Sequence, residues 1–209
     1  MHWLYFDQGS PARLEAAGFS YDSTCGYNDA VGFRAGTAQV FRPQGCKRLL
    51  ELPLSIMDSA LMFPNRMNMA PNAAAQLAAT VVSHTAQFGG VLVVNWHDRS
   101  LAPERLWGRT YQTLLTTLRD RHRVWFATAG QAVDWFRWRR AIQFVRHGDS
   151  IRVTAPQVTN QSSPAAVLTI HGPAPASAAA RHRIDPGGVI TVPFSSALSA
   201  AMSCQPTAI

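Results

Sequence analysis

Apolar residues are distributed in two regimes along this chain. Up to about residue 140 they form short continuous runs separated by stretches of helical spacing, and beyond it they form brief alternating segments between turn residues. The clearest run is Val91-Leu92-Val93-Val94, three of its four residues β-branched, entered from Gly89-Gly90 and left through Asn95-Trp96-His97-Asp98. Such a run predicts a strand buried on both faces. Leu49 to Asp58 predicts a second strand, with Pro53 in its middle demanding an edge position or a bulge. Phe19-Ser20-Tyr21 and Val124-Trp125-Phe126-Ala127-Thr128 predict two more. Between them, Ser10 as N-cap, Pro11 at the first helical position and Gly18 as stop mark a short helix. Ala70 to Phe88, with Leu77, Val81, Val82 and Phe88, predicts an amphipathic helix. A further helix opens at Ala102-Pro103 and carries Leu106, Trp107, Leu114, Leu115 and Leu118, with Trp107 and Tyr111 as core aromatics. The last helix, Ala129 to Arg140, carries Val133, Trp135, Phe136 and Trp138. Strands alternating with helices in this way predict an α/β domain with a parallel sheet.

The second regime begins near residue 141. Ile142-Gln143-Phe144-Val145, Ile151-Arg152-Val153-Thr154, Val167-Leu168-Thr169-Ile170 and Val189-Ile190-Thr191-Val192 are separated by His147-Gly148-Asp149 and Pro186-Gly187-Gly188. They predict a small antiparallel β unit over 141–195. Residues 173–180 are rich in Ala, Pro and Ser and predict a flexible loop, and 196–209 a poorly ordered tail.

Composition narrows the class. A chain of 209 residues with 47% apolar content can bury a sizeable core. Its formal charge of +7 raises the question of a polyanionic partner. Much of that excess lies between Arg119 and Arg152, where Arg119, Arg121 and Arg123 flank a turn and Arg137, Arg139 and Arg140 close a helix, as the helix dipole favours. A solvated face explains it better than a nucleic-acid groove, and no basic-aromatic recognition module is present. Cys25, Cys46 and Cys204 lack a C-x-x-C spacing, so neither a zinc knuckle nor a disulfide framework is expected and a cytoplasmic location is the default. The first residues lack the basic and apolar regions of a signal peptide, and no apolar run approaches a membrane span.

Candidate chemistry gathers at strand ends. α/β folds place their reactive groups beyond the carboxyl ends of the strands, which is where His97 falls. Imidazole titrates near neutral pH and transfers protons readily there. The alternative is a histidine that merely caps the strand. The polar loop Asp22-Ser23-Thr24-Cys25-Gly26-Tyr27-Asn28-Asp29 has no helical or strand period, and loops of that kind carry function more often than the elements they join.

Taken in order, Leu14-Glu15-Ala16-Ala17-Gly18-Phe19-Ser20-Tyr21-Asp22-Ser23-Thr24, Gly32-Phe33-Arg34-Ala35-Gly36-Thr37, Glu51-Leu52-Pro53-Leu54 with Asp58, Trp96-His97, and Trp125-Phe126-Ala127-Thr128-Ala129-Gly130-Gln131-Ala132-Val133-Asp134-Trp135 resemble the polysaccharide deacetylase family, the NodB-like carbohydrate esterases. The resemblance covers roughly residues 1–140 and only the C-terminal part of the family domain. It implies a partial (β/α) barrel, and hydrolysis of N-acetyl groups on carbohydrate with a divalent metal, usually zinc. Asn95-Trp96-His97 is similar to the family's late L-x-H motif, which makes His97 the general acid that protonates the leaving amine. Asp58 is then the candidate partner that orients His97, the alternative being a surface carboxylate at a strand end. Asp22, Tyr27, Arg34 and Trp3 are the candidate substrate-binding residues.

The departures are as informative. The sequence holds no Asp-Asp pair and no H-x-x-x-H, so the family's metal-binding motifs are absent and no metal ligand is assigned in this chain. His2-Trp3-Leu4-Tyr5-Phe6 resembles the third motif without its opening arginine. The expectation is a chain that is incomplete or inactive alone, whether a truncated product, a fragment or a divergent protein. A non-catalytic carbohydrate- or protein-binding remnant is the alternative. An incomplete barrel would expose a strand edge, to be covered by self-association or by a partner chain.

Overall fold

A computed structural model of the chain describes residues 2–121, 124–158, 163–170, 180–193 and 202–206. It is a mixed α/β structure with four small sheets, none of them closed, and it divides into two compact units, Met1–Arg123 and Val124–Ile209.

The first unit is built around one buried stretch. Helix α1 (Ser10–Ala16) is stopped at Gly18, whose φ of +88° suits glycine, and feeds β1 (Tyr21–Asp22). Strand β1 pairs in parallel with β2 (Leu50–Glu51). The chain then bends through Leu52-Pro53 into β3 (Leu54–Met57), which pairs in parallel with β4 (Val93–Asn95) with a register shift between Leu54 and Ile56. Pro53 falls at the break between the two strands, the stretch being bonded to β1 on its first half and to β4 on its second, each in a two-stranded sheet. All residues from Leu50 to Asp58 are buried. Proline is accommodated because the ladder passes around it, with Leu52 N donating to Asp22 O (2.9 Å) and Leu54 N to Cys25 O (3.1 Å).

Helix α2 (Asp58–Met62) follows β3 directly, and α3 (Pro71–Phe88) buries Ala74, Ala78, Val81 and Val82 on one face. The predicted apolar face included Phe88, but that ring is 70% exposed at the helix end. Strand β4 is shorter than predicted and only half-buried, so the expected burial on both faces does not hold. Gly90 explains the short start: its φ is +138°, and a Cβ there would stand 2.5 Å from Ala38 O. The backbone is held against residue 38 instead of extending the ladder, with Val91 N donating to Ala38 O (2.8 Å). Helix α4 (Gly108–Arg121) starts six residues later than predicted, because Leu106 adopts a φ of +56° that breaks the run from Ala102. It packs on α3.

The second unit begins before the composition changes. Val124 to Thr128 form no strand. Helix α5 (Ala129–Arg140) is capped by a reciprocal Thr128/Gln131 box. The boundary expected at residue 140 put this helix with the first unit, whereas it belongs to the second. Trp135 and Trp138, three apart on one face, are buried there, and their indole N–H groups donate to Pro164 O (2.7 Å) and Pro156 O (2.8 Å). Two antiparallel three-stranded sheets follow. One joins β5 (Gln143–His147), β6 (Ser150–Thr154) and β9 (Val189–Pro193), and the other joins β7 (Ala166–Ile170), β8 (Ala180–Ile184) and β10 (Met202–Pro206). Ile151, Val153, Val192, Leu168, Ile170 and Ile184 from the two sheets share one core with the tryptophans. The predicted β unit is thus present and larger than expected. The tail expectation for 196–209 fails at Met202–Pro206, which pairs along all of β7; the rest of that tail, and residues 173–179 of the predicted flexible loop, lie outside the described residues.

Candidate functional site

Parallel pairing of β3 with β4 brings the carboxyl ends of two strands together, Met57 opposite Asn95. Asp58 is the residue after β3, and His97 lies two residues after the end of β4. The two side chains meet. His97 Nδ1 donates to Asp58 Oδ1 (2.6 Å), and the His97 backbone N–H donates to Asp58 Oδ2 (2.7 Å). A third donor, Ser59 N, reaches Oδ1 at 2.6 Å. Asp58 is completely buried, while the His97 side chain is 45% exposed. A buried carboxylate with three N–H donors is a fixed acceptor. It sets the tautomer of the ring, with the Nδ1 proton toward Asp58 and Nε2 left for an external partner. The structure thus brings together the two residues paired from the sequence. The neighbouring Trp96 stacks on Tyr111 (centroids 5.2 Å apart), and its Nε1 is buried without a hydrogen-bond partner among the described residues.

Three of the four candidate substrate residues share a groove of about 480 Å³ in the same unit: Trp3, Tyr27 and Arg34 line it together with Tyr5, Asn28 and Arg66. Arg34 stacks over Phe6 and Tyr27 and donates to Gly26 O (2.7 Å). Arg66 donates to both Asn28 O and Asn28 Oδ1, and Asn28 Nδ2 donates to Trp3 O (2.7 Å). Asp22 is not part of this wall. It lines a separate groove with Phe19 and Tyr21 at the edge of β1. The first groove and the dyad are tied by packing, since Leu4 and Val31 lie against Leu54, Met57 and Ala60, which bracket Asp58. Tyr5 was expected from the sequence only as a sugar-stacking aromatic of the binding-module alternative, and Asn28 and Arg66 were not assigned to the site. The polar turn Pro64-Asn65-Arg66 offered a signal, but nothing in its spacing tied it to the loop near Asn28 across 38 positions.

Glu51 is a second buried acid that the strand pattern left unremarked. Its carboxylate accepts the Cys25 N–H (2.7 Å), so it holds the loop after β1. Burial raises its pKa from 4.5 to about 7, further raised by Asp22 and opposed by the Cys25 and Thr24 backbone N–H groups. The Cys25 thiol is pushed up in turn, first by burial and then by the Glu51 charge.

The deacetylase resemblance implies a divalent metal. Among the described residues no three His, Cys, Asp or Glu side chains gather where they could hold one. The described residues do not fit that group, and no chemical step here is assigned to it. No family model, curated protein or solved structure matches the chain.

Proposed function

We propose that this chain is a polysaccharide-deacetylase-like protein that carries the proton-donating part of an N-acetylglycan hydrolase site on a partial (β/α) barrel. The observation that carries the reading is the buried Asp58 carboxylate fixed to Nδ1 of a half-exposed His97 at the ends of two adjacent parallel strands. An amide nitrogen leaves poorly unless it is protonated. With Nδ1 committed to Asp58, the proton that His97 can transfer is the one on Nε2, and the contact with Asp58 fixes the direction in which it is offered. Trp3, Tyr27 and Arg34 bind the sugar in the adjoining groove. Activation of water and zinc binding in the complete family domain require residues other than those described, so the chain alone binds glycan without turning it over. In this reading a second copy or a partner chain covers the sides of β1 and β4 that are unpaired among the described residues.

A second reading, a carbohydrate-binding module without catalysis, is favoured by the exposed Trp3 and Tyr5 rings on the groove. One experiment separates the two. N-acetylated chitotetraose is titrated into the purified chain while the His97 ring signals and acetate release are followed, with and without zinc. Saturable binding that shifts the His97 signals, without acetate release, supports the dyad as part of the site. Binding that leaves His97 untouched supports the module. No binding sinks both, and acetate release by the pure chain refutes its incompleteness.

A further inference from the structure

The groove lined by Trp3, Tyr27 and Arg34 carries two guanidinium groups, and how they are held constrains its ligand. Arg34 lies over the Phe6 ring (4.8 Å) and near the Tyr27 ring (5.8 Å), with one donor on Gly26 O. Arg66 is anchored by Asn28 through a single nitrogen, Nη1, which serves two oxygens. In both cases the anchors are neutral carbonyl oxygens and ring faces. Among the described residues neither guanidinium is in an ion pair. Arg13, Arg119, Arg137 and Arg183, by contrast, each pair with a carboxylate. A guanidinium has five N–H donors, so each groove arginine keeps donors beyond those its anchors use. Stacking leaves the guanidinium edge available and orients it at little further loss of rotamer freedom.

The aromatic side of the groove is presented just as deliberately. Trp3 and Leu4 have φ values of +59° and +54°, a left-handed arrangement that is strained for a non-glycine residue. The bend is held by Asn28, whose amide donates to Trp3 O (2.7 Å), while Trp3 stays 60% and Tyr5 76% exposed. Asn28 therefore fixes both walls, with its amide nitrogen on the Trp3 backbone and its carbonyl oxygens on Arg66. Exposed aromatic rings and guanidinium donors lining one groove suit a sugar ring that bears a carboxylate. Asp29 also lines the groove, leaving one net positive charge from the two arginines.

We infer that the glycan taken by this groove is anionic: an N-acetylated oligosaccharide carrying ring carboxylates, with the carboxylate on Arg34 and Arg66 and the sugar face on Trp3 and Tyr5. The inference rests on the proposed glycan-binding reading and narrows its substrate class. Its test compares two N-acetylated tetrasaccharides by calorimetry, neutral chitotetraose and the hyaluronan tetrasaccharide, in which glucuronate alternates with N-acetylglucosamine. Charge-assisted hydrogen bonds predict about tenfold or tighter binding of the glucuronate-bearing ligand, weakening as salt is added. Arg66→Gln should remove most of that preference, whereas Arg109→Gln, on the exposed face of α4, should leave it intact and so exclude an effect of bulk charge. Equal affinity for the two ligands overturns the inference while leaving the glycan reading standing, and so does a preference that Arg109→Gln abolishes as fully as Arg66→Gln. If neither ligand binds, the glycan reading falls and the inference with it. Should Arg66→Gln disturb the groove, seen as altered signals of Trp3 and Asn28, the comparison of the two ligands and its salt dependence on the native chain decide the matter.

Discussion

Replacing Glu51 by Gln should make the first unit more stable at neutral and alkaline pH and flatten its pH dependence. In the fold the carboxyl group titrates near 7, against 4.5 when unconstrained, because burial in the stretch 50–58 disfavours its charge. Between those values the folded chain keeps a proton that the unfolded chain has lost. Stability is therefore fully present below about pH 4.5, declines as pH rises, and reaches its floor once Glu51 ionises above about 7. At about 1.36 kcal/mol per pH unit, that interval bounds the loss at on the order of 3 kcal/mol. Glutamine keeps an acceptor for the Cys25 N–H at 2.7 Å, so the loop contact survives while the charge is gone. Urea unfolding of the native chain and the variant, followed at pH 5, 6, 7 and 8 by signals from the first unit, reads the difference directly. The native chain should lose stability across the series and the variant should not. Identical slopes in the two proteins would refute the reasoning, as would a native curve that is level from pH 5 to 8.

Three further outcomes follow from the same geometry. Glu15 accepts the backbone N–H groups of Lys47, Arg48 and Leu49 (2.5–3.0 Å), which hold its pKa down to about 2, first through Leu49; the stabilisation it provides is present above pH 4.5 and lost as pH falls toward 2, so Glu15→Gln should shift the acid unfolding midpoint measured by circular dichroism. Gly90→Ala would set a Cβ 2.5 Å from Ala38 O at a φ of +138°, and should cost on the order of 2 kcal/mol or more in denaturant unfolding. Trp138→Phe leaves the Pro156 carbonyl without its indole donor and opens space in the shared core; a loss of about 2–4 kcal/mol is expected in the second unit, and a loss below about 1 kcal/mol would contradict its role there.

Local chemistry made the helices α1, α3 and α5 readable from the chain, because glycine stops and apolar spacing are properties of a few neighbouring residues; the cap expected at Ser10 was misplaced, since Ser10 is the first residue of α1 and Gly9 holds the cap position without a side-chain bond. Their tertiary assignment was less visible. Trp135 and Trp138 read as helix core from spacing alone, but only carbonyls at 156 and 164, far along the chain, decide that α5 packs with the β sheets. Val124 to Thr128 has strand composition and no ladder, since β-propensity expresses packing on a pleated surface and here Trp125 packs on the core while Phe126 stays exposed. Asp58 and His97 were legible because each ends an apolar strand, and parallel pairing of such strands places their ends together without further information. The groove was half legible: Trp3, Tyr27 and Arg34 stood out by residue type, whereas Arg66 reaches it only through a contact with Asn28.

The dyad has a competing structural explanation, a helix-starting aspartate that satisfies nearby backbone donors, and the geometry weighs against it as a full account. Asp58 opens α2, so its contact with the Ser59 N–H is what a local cap would make. A cap does not require a carboxylate with no solvent exposure, and burying one costs several kcal/mol unless its partners offset it. Nor does His97 need Asp58 in order to be satisfied, since a ring that is 45% exposed can reach water. The Nδ1 contact thus helps to offset the burial of Asp58 while constraining a ring that could reach water instead, and what it constrains is the direction of the other ring nitrogen. Replacement of Asp58 by Asn would test the distinction. An amide that keeps its oxygen on Ser59 N and His97 Nδ1 sets its N–H₂ against the His97 backbone N–H, so the backbone at His97 is displaced, only a neutral oxygen is left for the ring, and the ring should lose its fixed tautomer. A cap alone predicts a loss of about 1 kcal/mol with the His97 ring signals unchanged, whereas a proton-positioning pair predicts that the nitrogen-15 shifts of the ring move toward a mixture of tautomers even at temperatures where the variant remains folded.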